Sequence, residues 1–407
     1  MNPLRILLPC LLLTLSACAV TRPASVACPT FPGADAAVMS TQGPAVPPPA
    51  DDGMMARTRS EIAGALRAEL ADAPRGPVTF HVVTLSSGGQ YGAFGAGFLT
   101  GWSDNAVTPR PVFNLVTGVS AGAILAPVAF AGRRFDRLLA DYAGLGADDL
   151  LRRRVLPGLL RAPSLASPAP LEAFLANALS PDLVSAVAAG ETEGRRLLIG
   201  ATNIDTGEAE ILDLGRAAGT PNAALCLREA MLASAAIPAL LPPRNINHAL
   251  YADGGLREHV FLRALDQAVR DVATASGREI RVEAYLVVNG ALLAPEGPAT
   301  DSMPGYALRS VEILADEVLR DSILEAVSFA ETRPDWRLRG IRADLPARTC
   351  WIDTDGDSTP DTAPAAEIGG FSPCLTQALF EHGRAVGAAT PIPWLGAEDL
   401  RALAREL

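Results

Sequence analysis

The chain has no excess of basic residues: 34 Lys and Arg stand against 45 Asp and Glu, a formal net charge of −11 over 407 residues. Without a basic stripe to neutralise phosphates, the composition argues against a nucleic-acid binder. Histidine is scarce, with only His81, His248, His259 and His382, so an imidazole general base has few candidates. The apolar run from Ile6 to Leu15 is too short to span a bilayer. There is neither a Gly-x-Gly-x-x-Gly with a downstream ribose acid nor a Gly-Lys-Ser/Thr, so a nucleotide-phosphate loop fits poorly. No internal repeat is evident. What remains, 49% hydrophobic and 19% charged, is an ordinary globular composition with ample chain to bury a core.

Arg5 followed by the short apolar run reads as a signal peptide over residues 1–17. The next residues, Leu15-Ser16-Ala17-Cys18, resemble a bacterial lipobox, which implies that Cys18 becomes the lipidated first residue of the mature chain. The alternative is a plain secretory cleavage near Ala17 or Ala19. Ala19, in place of aspartate, points by the same resemblance to the outer membrane. Export permits disulfides among Cys28, Cys226, Cys350 and Cys374. Cys350 with Cys374 is the expected pair, while Cys226, within Ala224-Leu225-Cys226-Leu227, reads equally well as a buried free thiol.

From Pro29 to Asp52 the chain is rich in proline, alanine and glycine, and residues 18–55 read as an extended tether. Ile62, Leu66 and Leu70, spaced by four, predict a helix over 56–70. Residues 78–85 suit a buried strand, and further strands are expected at 197–202, 210–214 and 282–289. Helices are expected at 121–131, 222–236 and 307–330. The alternation implies an α/β layered domain over 56–332, with its core at 78–260 and a mainly parallel central sheet. Residues 333–407 are less regular and read as an extension packed on the same body.

Gly118-Val119-Ser120-Ala121-Gly122 lies between an apolar run and a helix-like stretch. A serine on a strand-to-helix turn is the usual seat of a nucleophile, although chance alone supplies roughly 0.2 such motifs in a chain of this length. Its hydroxyl needs a base and its oxyanion needs aimed N–H donors. His259 and His382 follow Ser120 and could close a Ser-acid-His order. Asp253, in Ala252-Asp253-Gly254-Gly255, competes as the base, because an apolar strand end delivers it into a turn that admits close approach. Gly88 and Gly89, between a strand and a helix, suit an oxyanion site.

In this order, the loop of Gly88, Gly89 and Gly92, the Ser120 motif with Gly118 and Gly122, and Asp253-Gly254-Gly255 resemble the patatin-like phospholipase family. The segment Ala233-Ser234-Ala235-Ala236-Ile237-Pro238 adds to the resemblance. It implies a three-layer α/β fold and a lipid acyl-ester hydrolase using Ser120 as nucleophile and Asp253 as base, with Gly88, Gly89 and Gln90 at the oxyanion hole. The substrates implied are membrane lipids or other acyl esters. The family loop commonly carries a basic residue where Tyr91 stands and a glycine where Ser87 stands, so a neutral acylglycerol is as reasonable as a phospholipid. The rivals are a Ser-His-Asp esterase and a non-catalytic envelope lipoprotein.

No cofactor is expected. Asp353, Asp355, Asp357 and Asp361 have the spacing of oxygen ligands, but Gly356 is misplaced for a calcium loop and no glutamate follows at the twelfth position. Calcium there is the alternative to an acidic turn. Residues 151–161, mixing arginine with leucine, read either as a solvated loop or as a lipid-facing segment.

Overall fold

The computed structural model describes residues 22–33, 53–72, 76–154, 162–289, 301–345, 349–350 and 371–405. Its centre is an eight-stranded sheet. Strands β1 (Val78–Leu85), β2 (Leu115–Val119) and β5 (Arg196–Asn203) run parallel, with β9 (Ile280–Val288) and β10 (Trp336–Arg342) continuing the parallel array beyond β1. β3 (Arg152–Arg153) and β4 (Ala166–Ser167) form a separate short ladder. Antiparallel strands β6 (Glu208–Asp213), β7 (Arg244–Ile246) and β8 (Ala249–Asp253) complete the other side, giving the order β10-β9-β1-β2-β5-β8-β7 with β6 on β5.

β1 shows why the sheet is covered on both faces. Phe80 and Val82 enter one apolar cluster and Val83 and Leu85 the other, as expected of a strand buried on two sides. One layer holds α1 (Gly53–Asp72), α5 (Leu262–Ser276), α6 (Met303–Thr332) and α8 (Ala397–Arg405); the other holds α2 (Gly92–Asp104), α3 (Ala121–Ala131), α4 (Ala223–Ser234) and α7 (Pro373–Ala388). This is the three-layer α/β architecture expected of the chain.

The C-terminal residues do more than pack on the outside. β10 is a strand of the main sheet, and α7 crosses α2 through paired glycines on both helices. A Cβ at Gly97 would lie 2.0 Å from the Phe380 carbonyl oxygen, and one at Gly387 would lie 2.3 Å from that of Phe98. Gly101 and Gly383 are equally confined, so the two backbones meet with no side chain between them.

The expected tether also departs from a free chain. Residues 22–33 lie along the edge of β7, where Val26 bridges Ile246 in parallel. The Asn247 side chain clasps this strap, accepting from Cys28 N at 2.9 Å and donating to the Cys28 carbonyl at 2.9 Å. Cys28 is bonded to Cys226 with Cα atoms 5.6 Å apart, so Cys226 is not a free thiol. The free-thiol reading saw only that Cys226 is buried; its partner comes from 198 residues away. Cys350 and Cys374 form the second disulfide. Cys18, the remainder of the tether and Asp353 to Asp361 lie outside the described residues, as does most of 151–161.

Candidate functional site

The site arises from an interruption in the sheet. Along one edge of β5, β2 pairs up to Val119 with Gly200, and β8 takes over at the next residue, Asp253 with Ala201. The other edge is occupied by β6. Ser120, which leaves β2, and Asp253, which ends β8, are therefore brought together at the carboxyl end of the parallel strands. Their side chains are hydrogen-bonded.

Ser120 occupies a tight elbow with φ 54° and ψ −121°. A non-glycine residue in such a conformation costs about 1–3 kcal/mol and persists only if its surroundings hold it. Ser234, at the end of α4, does so: its hydroxyl accepts from Ser120 N at 2.9 Å and donates to the Gly200 carbonyl at 2.6 Å. On the other side, a Cβ at Gly122 would strike the Leu85 carbonyl oxygen at 2.4 Å, and one at Gly118 would strike that of Gly122 at 2.5 Å. The turn thus requires both glycines for space.

Asp253 is buried. Burial pushes its pKa up to about 6, against the opposing pull of hydrogen bonds from Ser120 and from Gly255 N, the latter 2.8 Å from Oδ1. Its backbone is fixed as well, the N–H donating to the Ala236 carbonyl at 3.0 Å and the carbonyl accepting from Thr202 Oγ1 at 2.8 Å. Gly254 lies so close to β5 that a Cβ would sit 2.4 Å from the Gly200 oxygen.

The glycine-rich loop borders the same space. Gly89, Gln90 and Tyr91 form a single 3₁₀ turn before α2, closed by Tyr91 N donating to the Gly88 carbonyl at 2.9 Å. The first N–H groups of such a turn have no partner within it. Gly88 is pressed against Asn289, whose amide bonds the Ser86 carbonyl at 2.9 Å. The buried Tyr142 hydroxyl donates to the Gly89 carbonyl at 3.2 Å, and burial holds its pKa well above the usual range. Gln90 turns its side chain away: Oε1 accepts from Ser372 N at 3.1 Å. Gly92 opens α2 and lies against Ala121 and Tyr142.

The four histidines are placed in other roles. His259 is buried beyond Gly255: a Cβ there would lie 2.8 Å from the imidazole Cε1 and 3.1 Å from Asp253 Oδ1, so this glycine sits between ring and carboxylate. Burial lowers the His259 pKa to about 4 and keeps the ring neutral. His382 packs on Phe94, and His81 stacks on Tyr285 towards the far end of β1. His248 turns the β7–β8 hairpin, where its carbonyl accepts from Arg22.

Ser120 and Gly89 open onto an apolar cleft with roughly 440 Å³ of empty space, including its open mouth. Ile124, Leu151, Leu171, Leu240 and Phe371 are among its walls, and among the described residues no charged side chain lines it. A second apolar space of roughly 340 Å³ adjoins it across Ile124 and Tyr142. Among the described residues, no cluster of three or more His, Cys, Asp or Glu is placed to hold a metal.

The family model for Patatin-like phospholipase matches residues 83–266, a span that contains the glycine-rich loop, Ser120 and Asp253. The chain carries a patatin-like phospholipase domain. The match of this domain supports lipid acyl hydrolysis in general. No curated protein matches the chain. Among solved structures, VipD from Legionella pneumophila is similar at 13% identity over 76% of this chain and 68% of its own, with a TM-score of 0.29, too low to carry an argument. Beyond the motif residues, Ser234, Tyr142, Thr202 and Asn289 hydrogen-bond to the backbone around Ser120, Asp253 and the glycine-rich loop. Ser234 had a signal in the segment before the aspartate; the other three act across the fold and had none.

Proposed function

We propose that this protein is a serine acyl-ester hydrolase acting on lipids through a Ser120–Asp253 dyad. The observation that carries this reading is the hydrogen bond between a strained, braced serine and a buried carboxylate whose pKa of about 6 lets it accept a proton near neutrality. Ser120 Oγ attacks the ester carbonyl while its proton passes to Asp253. The oxyanion is received by backbone N–H groups of Gly88, Gly89 and Gln90 at the open end of the 3₁₀ turn. Collapse expels the alcohol or lysolipid, which takes the proton from Asp253. Water, deprotonated by the same carboxylate, then releases the fatty acid from Ser120.

The apolar side chains that line the cleft favour an acyl chain over a charged substrate body. With Tyr91 where a basic side chain is common, the loop offers no cation to a phosphate, so neutral glycerolipids and other uncharged esters are substrates alongside phospholipids. We also propose that the protein is exported and anchored through a lipidated Cys18. Two disulfides fit an oxidising compartment.

A fluorophosphonate probe tests the reading. Labelling of the wild type and not of folded Ser120→Ala, with fatty acid released from an acylglycerol and phospholipid panel, is the expected result. A folded wild type that neither labels nor releases fatty acid is a lipid-binding protein instead. For the anchor, radiolabelled palmitate should enter the wild type and not Cys18→Ser.

A further inference from the structure

We propose that the amino-terminal half of α6 is a bilayer-docking arm that holds the mouth of the Ser120 cleft against the membrane. The substrate is then a lipid taken directly from the leaflet below, an inference that rests on the hydrolase reading and on the Cys18 anchor.

The arm is placed by its contacts. α6 ends at Thr332, shortly before Trp336 pairs with Val282 low in the sheet, so the helix runs from the carboxyl end of the strands towards their amino end. At mid-helix, Ser322 accepts a hydrogen bond from His259 N at 3.2 Å, just past the turn that carries Asp253. Leu319 just above that point and Ile323, Ala326 and Val327 below it are buried. Residues 303–315 begin about 10 Å above this level and extend about 18 Å further. On this projecting half Met303, Tyr306, Ile313 and Leu314 are 85%, 54%, 52% and 62% exposed. The spacing of 3, 7 and 1 residues places all four on one helical stripe. They include half of the eight large hydrophobic side chains that stand exposed on the described surface.

The occupant is identified by the other edge of the same end. Arg22 forks onto Asp205, with contacts of 3.1 and 2.5 Å, in the turn beyond the end of β5. It also donates to the His248 carbonyl at 2.6 Å. The half-exposed Ile204 is adjacent to Asp205 in sequence. Cys18 is four residues before Arg22, so an acyl anchor there reaches at most about 14 Å from the strap. The disulfide and the Asn247 clasp turn a long tether into a short mooring, and its first described residue, Arg22, is pinned through its guanidinium at the carboxyl end of the sheet, where the cleft and the arm both lie. A bilayer held that close meets the apolar stripe.

The charges of the arm identify the kind of surface. Arg309 pairs with Glu312 and Arg320 with Glu317, and Asp301 accepts from the Tyr306 hydroxyl. With its arginines paired, the arm docks by apolar contact and does not require anionic lipid.

The test uses the full lipidated chain in phosphatidylcholine vesicles. Tyr306→Trp adds an indole, and its emission above the wild-type background should be quenched by brominated acyl chains, equally with and without phosphatidylglycerol. Ile313→Asp with Leu314→Asp should abolish that quench and lower hydrolysis of vesicle-borne ester about tenfold, leaving a water-soluble short-chain ester turned over at the wild-type rate. Absence of quenching, with soluble-ester hydrolysis intact, overturns the docking arm and spares the hydrolase. Absence of all hydrolysis with the quench retained removes the hydrolase and spares the docking surface. A concentration-dependent dimer lost in the Ile313→Asp, Leu314→Asp chain assigns the stripe to a second copy and overturns the proposal.

Discussion

Val119 and Asp253 pair with consecutive residues of β5, Gly200 and Ala201. Two strands that approach from opposite directions thus meet on one edge of a third, and the residue that follows the first faces the residue that ends the second. The meeting places a serine hydroxyl and a carboxylate together at the ends of two strands. It also explains the burial of the carboxylate, since β8 delivers it into the middle of the sheet and not to the rim.

Replacing Asp253 by Asn removes the base and the buried charge together. Hydrolysis should fall roughly 10³-fold. Stability should move the other way: the folded pKa of about 6 lies above the unfolded value near 4, so the native chain loses stability as pH rises through that window. The cost at neutral pH is up to about 3 kcal/mol. Thermal melts should therefore show Asp253→Asn more stable than wild type at pH 8, and the two alike at pH 4. A variant that is inactive and no more stable at pH 8 would contradict the buried-charge account.

The pH profile separates carboxylate from imidazole. Asp253 must be ionised to accept the serine proton, so kcat/KM should fall as pH drops below about 6, on a single acidic limb. His382→Ala should keep both the rate and the limb. His259, neutral in the fold with a pKa of about 4, contributes stability above its unfolded pKa near 6.5 that is lost as pH falls towards 4. His259→Gln should thus alter acid stability without shifting the activity limb. Loss of the limb in either variant would return a histidine to the mechanism.

Much of this was legible. The β-branched run of 78–85 and the strand before Ser120 announce a doubly covered parallel sheet, and the serine and aspartate lie in turns whose glycines are needed for backbone contact. β10 escaped notice because Trp336, Leu338, Gly340 and Ile341 alternate with arginines, a pattern that resembles a polar surface until the strand is seen beside β9. α7 was hidden by Gly383 and Gly387, which disfavour an isolated helix and make sense only against Gly97 and Gly101. The strap was hidden by composition, since prolines suggest a free chain unless the partners Asn247 and Cys226 are known.

Ser234→Ala isolates the brace from the chemistry. It strips a donor from the Gly200 carbonyl and an acceptor from Ser120 N, both buried, at a cost of about 2 kcal/mol. The elbow then relaxes from its strained φ. Because the acyl cleft is untouched, kcat should fall about tenfold with KM nearly unchanged. Fluorophosphonate labelling should slow and still reach completion. An unchanged kcat would show that Gly118 and Gly122 suffice to hold the turn.

The α2–α7 crossing makes a sharp structural prediction. Gly97→Val would drive methyl groups into the Phe380 carbonyl, where backbone cannot yield without separating the helices. The expected loss exceeds about 3 kcal/mol, read as a fall in urea midpoint. Gly132→Ala, where no atom lies within 4 Å but φ is 94°, should cost less. If both variants melt alike, close helix contact is not what these glycines provide.

The two disulfides should differ in what they protect. Cys28–Cys226 closes a 198-residue separation and Cys350–Cys374 one of 24, so loop-closure entropy alone ranks them at about 5 and about 3 kcal/mol. The longer one secures only residues 22–33, however, and the sheet beneath β7 keeps its other bonds. In Cys28→Ser with Cys226→Ser the strap should detach by local opening before the body unfolds, held by hydrogen bonds from Arg22, Asn245, Asn247 and His248 and by the Val26 bridge. Hydrogen exchange should quicken at Val26 and Asn247, whose N–H groups bond across the strap, and remain slow at Val83 and Val116. Turnover of a soluble ester should be retained, because neither cysteine touches the cleft. Exchange that quickens equally in β1 and β2 would mean that the strap is part of the cooperative core.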